Sequence, residues 1–371
     1  MDWIEPISSL PSGISMGAVA GTTDGGFGGF DVSSWEVWLK GDGEVNWDTV
    51  YMFGYKAIDE LSQIGKAFTK SFYNMSDTKL WSYFDGCFEG GREGWSQVQI
   101  GADLDGAVIG APGMHFSFQQ IQHLWSQFVE YQLNHYPPYC ELEKIVNLTT
   151  EACDHLDGRV DGVVARTDLM GTVTAEGVAV AREILNGAHD NLGRRIYVSY
   201  QPTAAFQDAS AQWVEIGLNL LTNVSALSSF EGTTWPDLSV WHNAGGKVLH
   251  YHGESDPQVP TAGSVRYFES VRSVMYPGLF YNQSVVELNN WYRLFLIPGG
   301  AHCGANSLQP NVPWPETTLA TLIDCVEKGI EPKTLNGTIQ STGAQQQICG
   351  WPPPSLDTWK YDLNAFKMPI L

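Results

Sequence analysis

The chain has 371 residues, of which 43% are hydrophobic and 16% are charged. Its 20 basic and 41 acidic residues give a formal net charge of −21, which repels phosphate groups. We therefore expect neither nucleic acid nor an anionic membrane as a partner, and no apolar run approaches the roughly 20 residues of a membrane span. This length allows one large α/β domain or two domains.

The features that bear on the cellular compartment disagree. The N-terminus, "MDWIEPISSL", lacks the basic and then apolar pattern of a signal peptide. The chain nevertheless has six cysteines and five glycosylation sequons, which favour a secretory or extracellular protein. The sequons begin at Asn74, Asn147, Asn223, Asn282 and Asn336. The sequence therefore leaves the localisation open.

The first third of the chain alternates between strand and helix patterns. Within Leu10–Asp24, the small apolar run "GAVAGT" predicts a buried strand, and the apolar spacing over Asp48–Thr69 predicts a helix. "LWSYFDG" then predicts a strand, "GGREGWSQVQIGA" a helix and "LDGAVIGAPG" another buried strand. This order is typical of a mostly parallel sheet with helices on both faces.

The pattern changes over residues 113–245. Aromatic helical stretches such as "FQQIQHLWSQFVEYQLNHY" and a loop rich in Gly and Asp replace the alternation. "GGKVLHYHG" restores a strand pattern, and "YRLFLIPGGAHCG" repeats it. We therefore predict a sheet domain formed by residues 1–112 and 246–371, with a lid domain of residues 113–245 inserted into it.

Three loops that follow predicted strands contain candidate catalytic residues. The stretch Gly86–Gly90 matches the nucleophile elbow G-x-S-x-G except at its centre, where Phe88 replaces Ser. "HGESDPQVP" places Asp256 in a loop, and "PGGAHCG" does the same for His302. The order elbow, Asp, His is that of α/β-hydrolases. The alternative is an ordinary loop carboxylate and a loop histidine without a catalytic role.

Three carboxylates lie close together in "CDHLDGRVDGVV". Asp154, Asp157 and Asp161 fall within eight residues, and Gly158 and Gly162 allow sharp turns between them. Oxygen ligands at this density suit a hard cation such as calcium, although the spacing is not that of an EF-hand. A solvated acidic loop explains the same residues equally well.

Several motifs together resemble the fungal tannase and feruloyl esterase family, and the tannases most of all. They are "YFDGCFEGGREGWSQVQ…DGAVIGAPG", "LHYHGESDPQVP", "LIPGGAHCG", "YPPYCELEKIV" and "ACDHLDGRVDGVVARTDL". The resemblance covers nearly all of the chain and implies an α/β-hydrolase-like fold. Six cysteines by themselves allow fifteen connectivities. The resemblance implies three bonds, namely Cys87–Cys303, Cys140–Cys153 and Cys325–Cys349.

The resemblance also implies a structural calcium ion in the lid and no organic cofactor. Its ligands would be the carboxylates of Asp154, Asp157 and Asp161 and the backbone carbonyls of Arg159 and Val163.

The chain departs from the family at the elbow. Phe88 stands where family members have the nucleophilic Ser, and the backbone N–H of Glu89 is the part expected at the oxyanion hole. Family members also have about a hundred residues, within the length of one domain, before the point where this chain starts. We therefore expect the first strands to be absent, and the exposed sheet edge to favour a homo-oligomer.

These departures lead to three functional hypotheses. The preferred one is a repurposed, non-hydrolytic biosynthetic enzyme in which His302, held by Asp256, performs acid–base chemistry. Phe88 would form a pocket wall against an aromatic or polycyclic small molecule, and the reaction would be a cyclisation, dehydration, isomerisation or pericyclic step. A setting in fungal secondary metabolism rests on family analogy alone. The alternatives are a carboxylic ester hydrolase of tannase or feruloyl esterase type and a non-catalytic pseudoenzyme.

Overall fold

The computed structural model describes residues 5–23, 39–41, 43–157, 159–163, 175–206, 209 and 234–352. Its helices are α1 Glu5–Ser15, α2 Trp47–Tyr51, α3 Ala57–Phe72, α4 Glu89–Ile100, α5 Phe116–Leu133, α6 Tyr139–Cys153, α7 Ala175–Asn186, α8 Ser239–Asn243, α9 Thr261–Met275, α10 Tyr281–Asn289 and α11 Thr318–Lys328. A π-helical turn, Met52–Lys56, joins α2 to α3, and a 3-10 turn, Asp154–Asp157, follows α6. The predicted helix over Asp48–Thr69 is thus formed, with a π-helical turn inside it.

Among the described residues, the main sheet consists of four parallel strands in the order in which they occur in the chain. They are β1 Tyr83–Cys87, β2 Gly106–Gly110, β3 Lys247–Gly253 and β4 Tyr292–Ile297. A second, antiparallel sheet consists of β5 Pro313–Trp314, β6 Thr334–Ile339 and β7 Gln345–Cys349. The mostly parallel sheet and its four predicted strands are therefore confirmed.

Helices cover both faces of the main sheet, so its central strand β2 is apolar throughout. Every residue of β2 is buried. Along β4, Leu294 and Leu296 pack into a cluster with Trp95 and Phe268, because side chains alternate between the two faces of a strand. The intervening residues Phe295 and Ile297 pack on the opposite face, in a cluster that also contains Leu322 and Ile348.

The N-terminal strand prediction is wrong. Residues 18–23, which include most of "GAVAGT", belong to no strand, and α1 occupies the residues before them. Gly17 has a φ of 77°, beyond the end of α1, and Val19 is 48% exposed. Small apolar residues fit an exposed loop as well as a buried strand, so composition alone could not separate the two.

Helices α5, α6 and α7, which lie between β2 and β3, form a cluster of their own. Val129, Val146, Val180 and Ile184 pack together with Phe206, apart from the two clusters of the main sheet. The boundaries of a lid at residues 113–245 stay a prediction. No helix among the described residues is long and apolar enough to cross a membrane.

Strand β1 lies at the edge of the main sheet. Within the described part of the chain its only strand partner is β2, and its central residue Asp85 is exposed. Self-association through this edge stays a prediction.

Candidate active site

The turn after β1 has the geometry of a nucleophile elbow. Strand β1 ends at Cys87 and α4 begins at Glu89, so Phe88 alone connects strand to helix. Phe88 has φ 63° and ψ −114°, a backbone conformation that is strained for a residue with a side chain. Its N–H donates a hydrogen bond of 3.1 Å to the carbonyl of Gly110 on the neighbouring strand. The structure thus keeps the strained turn although the nucleophile is absent.

The glycines around this turn differ in how closely they are packed. A Cβ on Gly86 would lie 2.8 Å from the carbonyl of Gly90, which leaves no room for a side chain. A Cβ on Gly91 would lie 2.2 Å from the carbonyl oxygen of Gly110, whereas a Cβ on Gly90 would meet nothing within 4 Å. Gly90 is therefore not crowded, because it is the next residue along α4 that rests on the backbone of β2.

This difference predicts opposite effects of two neighbouring substitutions. Gly91→Ala should lower the free energy of unfolding by about 3 kcal/mol, because overpacking against a rigid backbone forces a strand or a helix to move. Gly90→Ala is the matched control and should be neutral or stabilising by up to about 1 kcal/mol, since Ala is the better helix former. Urea unfolding of both variants measures the difference, and equal stabilities would contradict the packing at Gly91.

Asp256 and His302 come together where β3 and β4 end. Nδ1 of His302 lies 2.8 Å from Oδ2 of Asp256. The other carboxylate oxygen, Oδ1, accepts the backbone N–H groups of Gln258 at 2.8 Å and Val259 at 2.9 Å. Nε2 of His252 lies 3.1 Å from Oδ2, so four donors surround this buried carboxylate. The structure thus brings the two predicted residues into the arrangement of a catalytic Asp–His pair.

The surroundings of Asp256 keep it ionised. Burial disfavours the charged carboxylate, but the hydrogen bonds from His252 and His302, together with the charge of His302 whenever that ring is protonated, outweigh burial. Together they hold the pKa of Asp256 well below its ordinary value. An ionised Asp256 requires the proton of neutral His302 on Nδ1, which leaves a lone pair on Nε2 for use as a base.

Phe88 lies directly against this base. The rings of Phe88 and His302 are 4.6 Å apart between centroids and meet edge to face at 88°. Nε2 of His302 is buried and has no hydrogen-bond partner among the residues that the structure describes. A nucleophile at residue 88 would donate its hydrogen bond to Nε2 of His302, and here the ring of Phe88 packs against the imidazole instead.

A disulfide connects the elbow to the histidine loop. Cys87 and Cys303 are bonded, with 6.0 Å between their Cα atoms, although 216 residues separate them in the sequence. Gly110 makes room for the bond, since a Cβ there would lie 2.7 Å from Sγ of Cys87. The predicted Cys87–Cys303 pair is therefore confirmed, and it fixes the residue before Phe88 to the residue after His302.

The predicted Cys140–Cys153 bond is wrong. Both residues belong to α6, in which Cys140 is an exposed thiol near the start and Cys153 is buried at the end. Thirteen residues along a helix correspond to roughly 20 Å, whereas the Cα atoms of a disulfide lie within about 7 Å.

The predicted Cys325–Cys349 bond is also wrong. Both residues are thiols, and Cys349 is exposed at the end of β7. Its neighbour Ile348 is buried in the same cluster as Leu322 of α11. Because side chains alternate along a strand, Cys349 points away from the face that α11 covers.

Glu89 and Arg92 form a buried ion pair at the start of α4. Nε of Arg92 lies 2.5 Å from Oε1 of Glu89, and Arg92 is only 1% exposed. Arg92 also donates to the backbone carbonyls of Phe53 and Gly54 at 2.9 and 3.2 Å. The side chain of Glu89 is thus occupied, while its backbone N–H lies in the first turn of a helix, where N–H groups have no acceptor within the helix. Arg92 is not among the residues predicted from the sequence, although its spacing from Glu89 is that of an ion pair on one helix face.

The predicted calcium loop is described in part. Asp154 accepts the backbone N–H groups of Asp161 and Gly162 at 3.1 and 2.9 Å, and Asp161 accepts that of Val163 at 3.2 Å. The side chain of Asp157 lies outside the described residues. Among the described residues, no group of three or more His, Cys, Asp or Glu side chains is placed to hold a metal ion. The described side chains thus fall one carboxylate short of the implied set, and calcium stays a prediction.

A parallel sheet with an elbow, an acid and a histidine at successive strand ends, in this chain order, defines the α/β-hydrolase fold. The family model for tannase and feruloyl esterase matches residues 4–171 and 219–365. The chain therefore belongs to the tannase and feruloyl esterase family.

Individual relatives agree with this assignment. A tannase from Aspergillus oryzae is 39% identical over 98% of this chain and 81% of its own length. The solved structure of tannin acyl hydrolase from Aspergillus niger superposes with a TM-score of 0.85 at 44% identity, over 98% of this chain and 81% of that one. Feruloyl esterase B from Aspergillus oryzae has a TM-score of 0.68 at 24% identity, over 83% of this chain and 71% of that one, and shows the common fold.

Proposed function

We propose that this protein is a carboxylic ester hydrolase of tannase or feruloyl esterase type that works without a covalent acyl-enzyme. The observation that carries the proposal is the hydrogen bond of 2.8 Å between His302 and Asp256, kept beside an elbow that has no nucleophile. Relatives named as tannases and feruloyl esterases are ester hydrolases, which supports the same reaction class. A phenyl ring cannot attack a carbonyl, so the nucleophile in this proposal is water.

The residues of the site account for each proton in this reaction. Nε2 of His302 takes a proton from water while the water oxygen bonds to the ester carbonyl carbon. The negative charge that develops on the carbonyl oxygen faces the backbone N–H of Glu89. When the tetrahedral intermediate collapses, His302 returns its proton to the departing alcohol oxygen. Acid and alcohol are then the products, and His302 is neutral again.

Phe88 has two effects in this mechanism. Its ring must turn away from Nε2 of His302 before water can approach, which slows the reaction. Once displaced, the ring offers an apolar face on which the aromatic ring of a phenolic ester can stack. The substrate class in the proposal is therefore an ester of a phenolic acid.

The proposal predicts slow hydrolysis by the wild-type protein that depends on His302. The wild-type protein should cleave methyl gallate and methyl ferulate faster than the His302→Ala variant does. The ratio should be about a hundredfold or more, because this is the usual effect of a general base. His242→Ala is the control, because His242 packs against Trp291 outside the site. Liquid chromatography of the released acid measures the rate. Equal rates for wild type and His302→Ala would overturn the proposal.

A second candidate function is the non-hydrolytic acid–base enzyme. The observation that favours it is the contact between Phe88 and His302, which shields the base with an aromatic ring and suits an aromatic or polycyclic ligand. Such a reaction would leave the mass of the small molecule unchanged or lower it by one water. Ester hydrolysis instead adds one water across two products, so mass spectrometry separates the two candidates. A ligand that binds and is never converted would support a pseudoenzyme.

A further inference from the structure

Behind Asp256 lies a set of buried polar side chains that the hydrolytic mechanism does not use. Strand β3 carries His250 and His252, two residues apart and therefore on the same face, and both are fully buried. Oγ of Ser264 on α9 lies between them, 2.9 Å from Nε2 of His250 and 2.6 Å from Nδ1 of His252. His252 in turn contacts the catalytic carboxylate.

The partners of His252 fix the position of its proton. Nε2 of His252 lies 3.1 Å from Oδ2 of Asp256 and 3.0 Å from the carbonyl oxygen of Val259. Both atoms can only accept a hydrogen bond, so Nε2 must carry the proton. In the neutral ring Nδ1 is then an acceptor, and the hydroxyl of Ser264 must donate to it.

The protons at the far end of this set of side chains are fixed in the same way. Because the proton of Ser264 is directed to His252, its oxygen accepts the N–H from Nε2 of His250. Nδ1 of His250 then accepts the hydroxyl of Tyr292 at 2.9 Å. Burial and the neighbouring His252 hold the pKa of His250 well below its ordinary value, so this ring is neutral. All hydrogen bonds from Tyr292 to Asp256 therefore point in one direction, towards the carboxylate.

This chain of hydrogen bonds does not lead to solvent within the described part of the protein. Tyr292, at its far end, is fully buried and packs against Trp95 and Phe268 with ring centroids 5.0 and 5.2 Å away. A chain that ends in the core cannot pass protons to water. Its physical effect is to hold the donor of His252 in place, and each polarised bond strengthens the next.

We infer that His252 is a positioning residue that holds the Asp256 carboxylate in line with Nδ1 of His302, and that Ser264, His250 and Tyr292 act through it. The inference rests on the proposed use of His302 as the base. Without His252, Oδ2 of Asp256 would keep only one of its two described side-chain donors, and the line from Oδ2 to His302 would be held only by that bond and by the two backbone N–H groups on Oδ1. His252 itself touches no reacting atom in the proposed mechanism.

The first test determines where the histidine protons lie. In protein labelled with ¹⁵N-histidine, long-range proton–nitrogen spectra distinguish protonated from bare ring nitrogens. We expect His302 to be protonated on Nδ1, and His252 and His250 to be protonated on Nε2 only. A proton on Nδ1 of His252, or on both of its nitrogens at neutral pH, would overturn the inference.

The second test breaks the contact. In His252→Leu the proton on Nδ1 of His302 should exchange with water about tenfold faster or more, because its hydrogen bond to Asp256 is no longer held in line. His252→Gln can still donate from its side-chain amide and should keep exchange close to wild type. His242→Gln is the matched control, because His242 is not part of this chain of hydrogen bonds. An unchanged exchange rate in a folded His252→Leu protein would overturn the inference, and if that variant does not fold, His252→Gln and the tautomers decide.

These readouts do not require turnover. If wild-type protein cleaves no ester but the tautomers and exchange rates are as expected, the proposed function fails and the positioning role of His252 stands. If the wild-type protein cleaves esters but His252 has a different tautomer, the proposed function stands and the positioning role of His252 fails.

Discussion

Phe88→Ser is expected to raise hydrolysis of methyl gallate or methyl ferulate by about a hundredfold or more, because it restores the missing member of a Ser–His–Asp triad. The backbone at residue 88 already has the strained elbow conformation, so the new hydroxyl would enter at the position of the ring. That ring now lies 4.6 Å from the imidazole of His302, whose Nε2 is buried. Serine would thus face the base, and Asp256 already fixes the tautomer that base needs.

Two control variants separate a new nucleophile from a newly opened space. Phe88→Ala removes the ring without supplying a hydroxyl, and it should give at most a small part of the gain. Phe88→Ser combined with His302→Ala should lose the gain, since serine then lacks its base. A burst of product equal to the enzyme concentration would mark an acyl-enzyme. If a folded Phe88→Ser protein showed no gain, the restored triad would be refuted; if Phe88→Ala gained as much, water would be the nucleophile in both variants.

Removal of the Cys87–Cys303 disulfide is expected to have the largest effect on stability. The bond closes a loop between residues that are 216 positions apart, and the chain-entropy relation gives a stabilisation of about 5.4 kcal/mol for a loop of this size. Cys87→Ser combined with Cys303→Ser should lower the free energy of unfolding by several kcal/mol in urea titrations. It should also weaken the hydrolysis by Phe88→Ser, because the elbow and the histidine loop would no longer be joined.

The matched control for this experiment is Cys140→Ser. Cys140 is an exposed thiol on α6, and its replacement should change stability by no more than about 0.5 kcal/mol. A double variant as stable as Cys140→Ser would show that the bond contributes nothing to the fold. A stability loss without any change in the activity of Phe88→Ser would confine the role of the bond to folding.

The order and type of the elements around the site could be predicted from the sequence. The strand "GAVIG" is apolar throughout because both its faces are covered. The turn at Phe88 is marked by Gly86, where a side chain would meet the backbone of Gly90. Such features depend on residues close together in the chain. The run "GAVAGT" could not be predicted in this way. Such residues form a strand only where another strand pairs with them, and in the structure residues 18–23 belong to no strand.

By itself the sequence determined the parallel sheet, the elbow and the positions of Asp256 and His302 in the loops after two strands, since strand patterns and chain order are local properties. Through its resemblance to the family it also specified the Cys87–Cys303 bond. Only the tertiary structure decided that Cys140 and Cys153 occupy opposite ends of one helix. It alone showed that Phe88 covers His302, and that Ser264 connects two histidines behind Asp256. Distances of a few ångströms between residues far apart in the chain decide these contacts, and no local pattern records them.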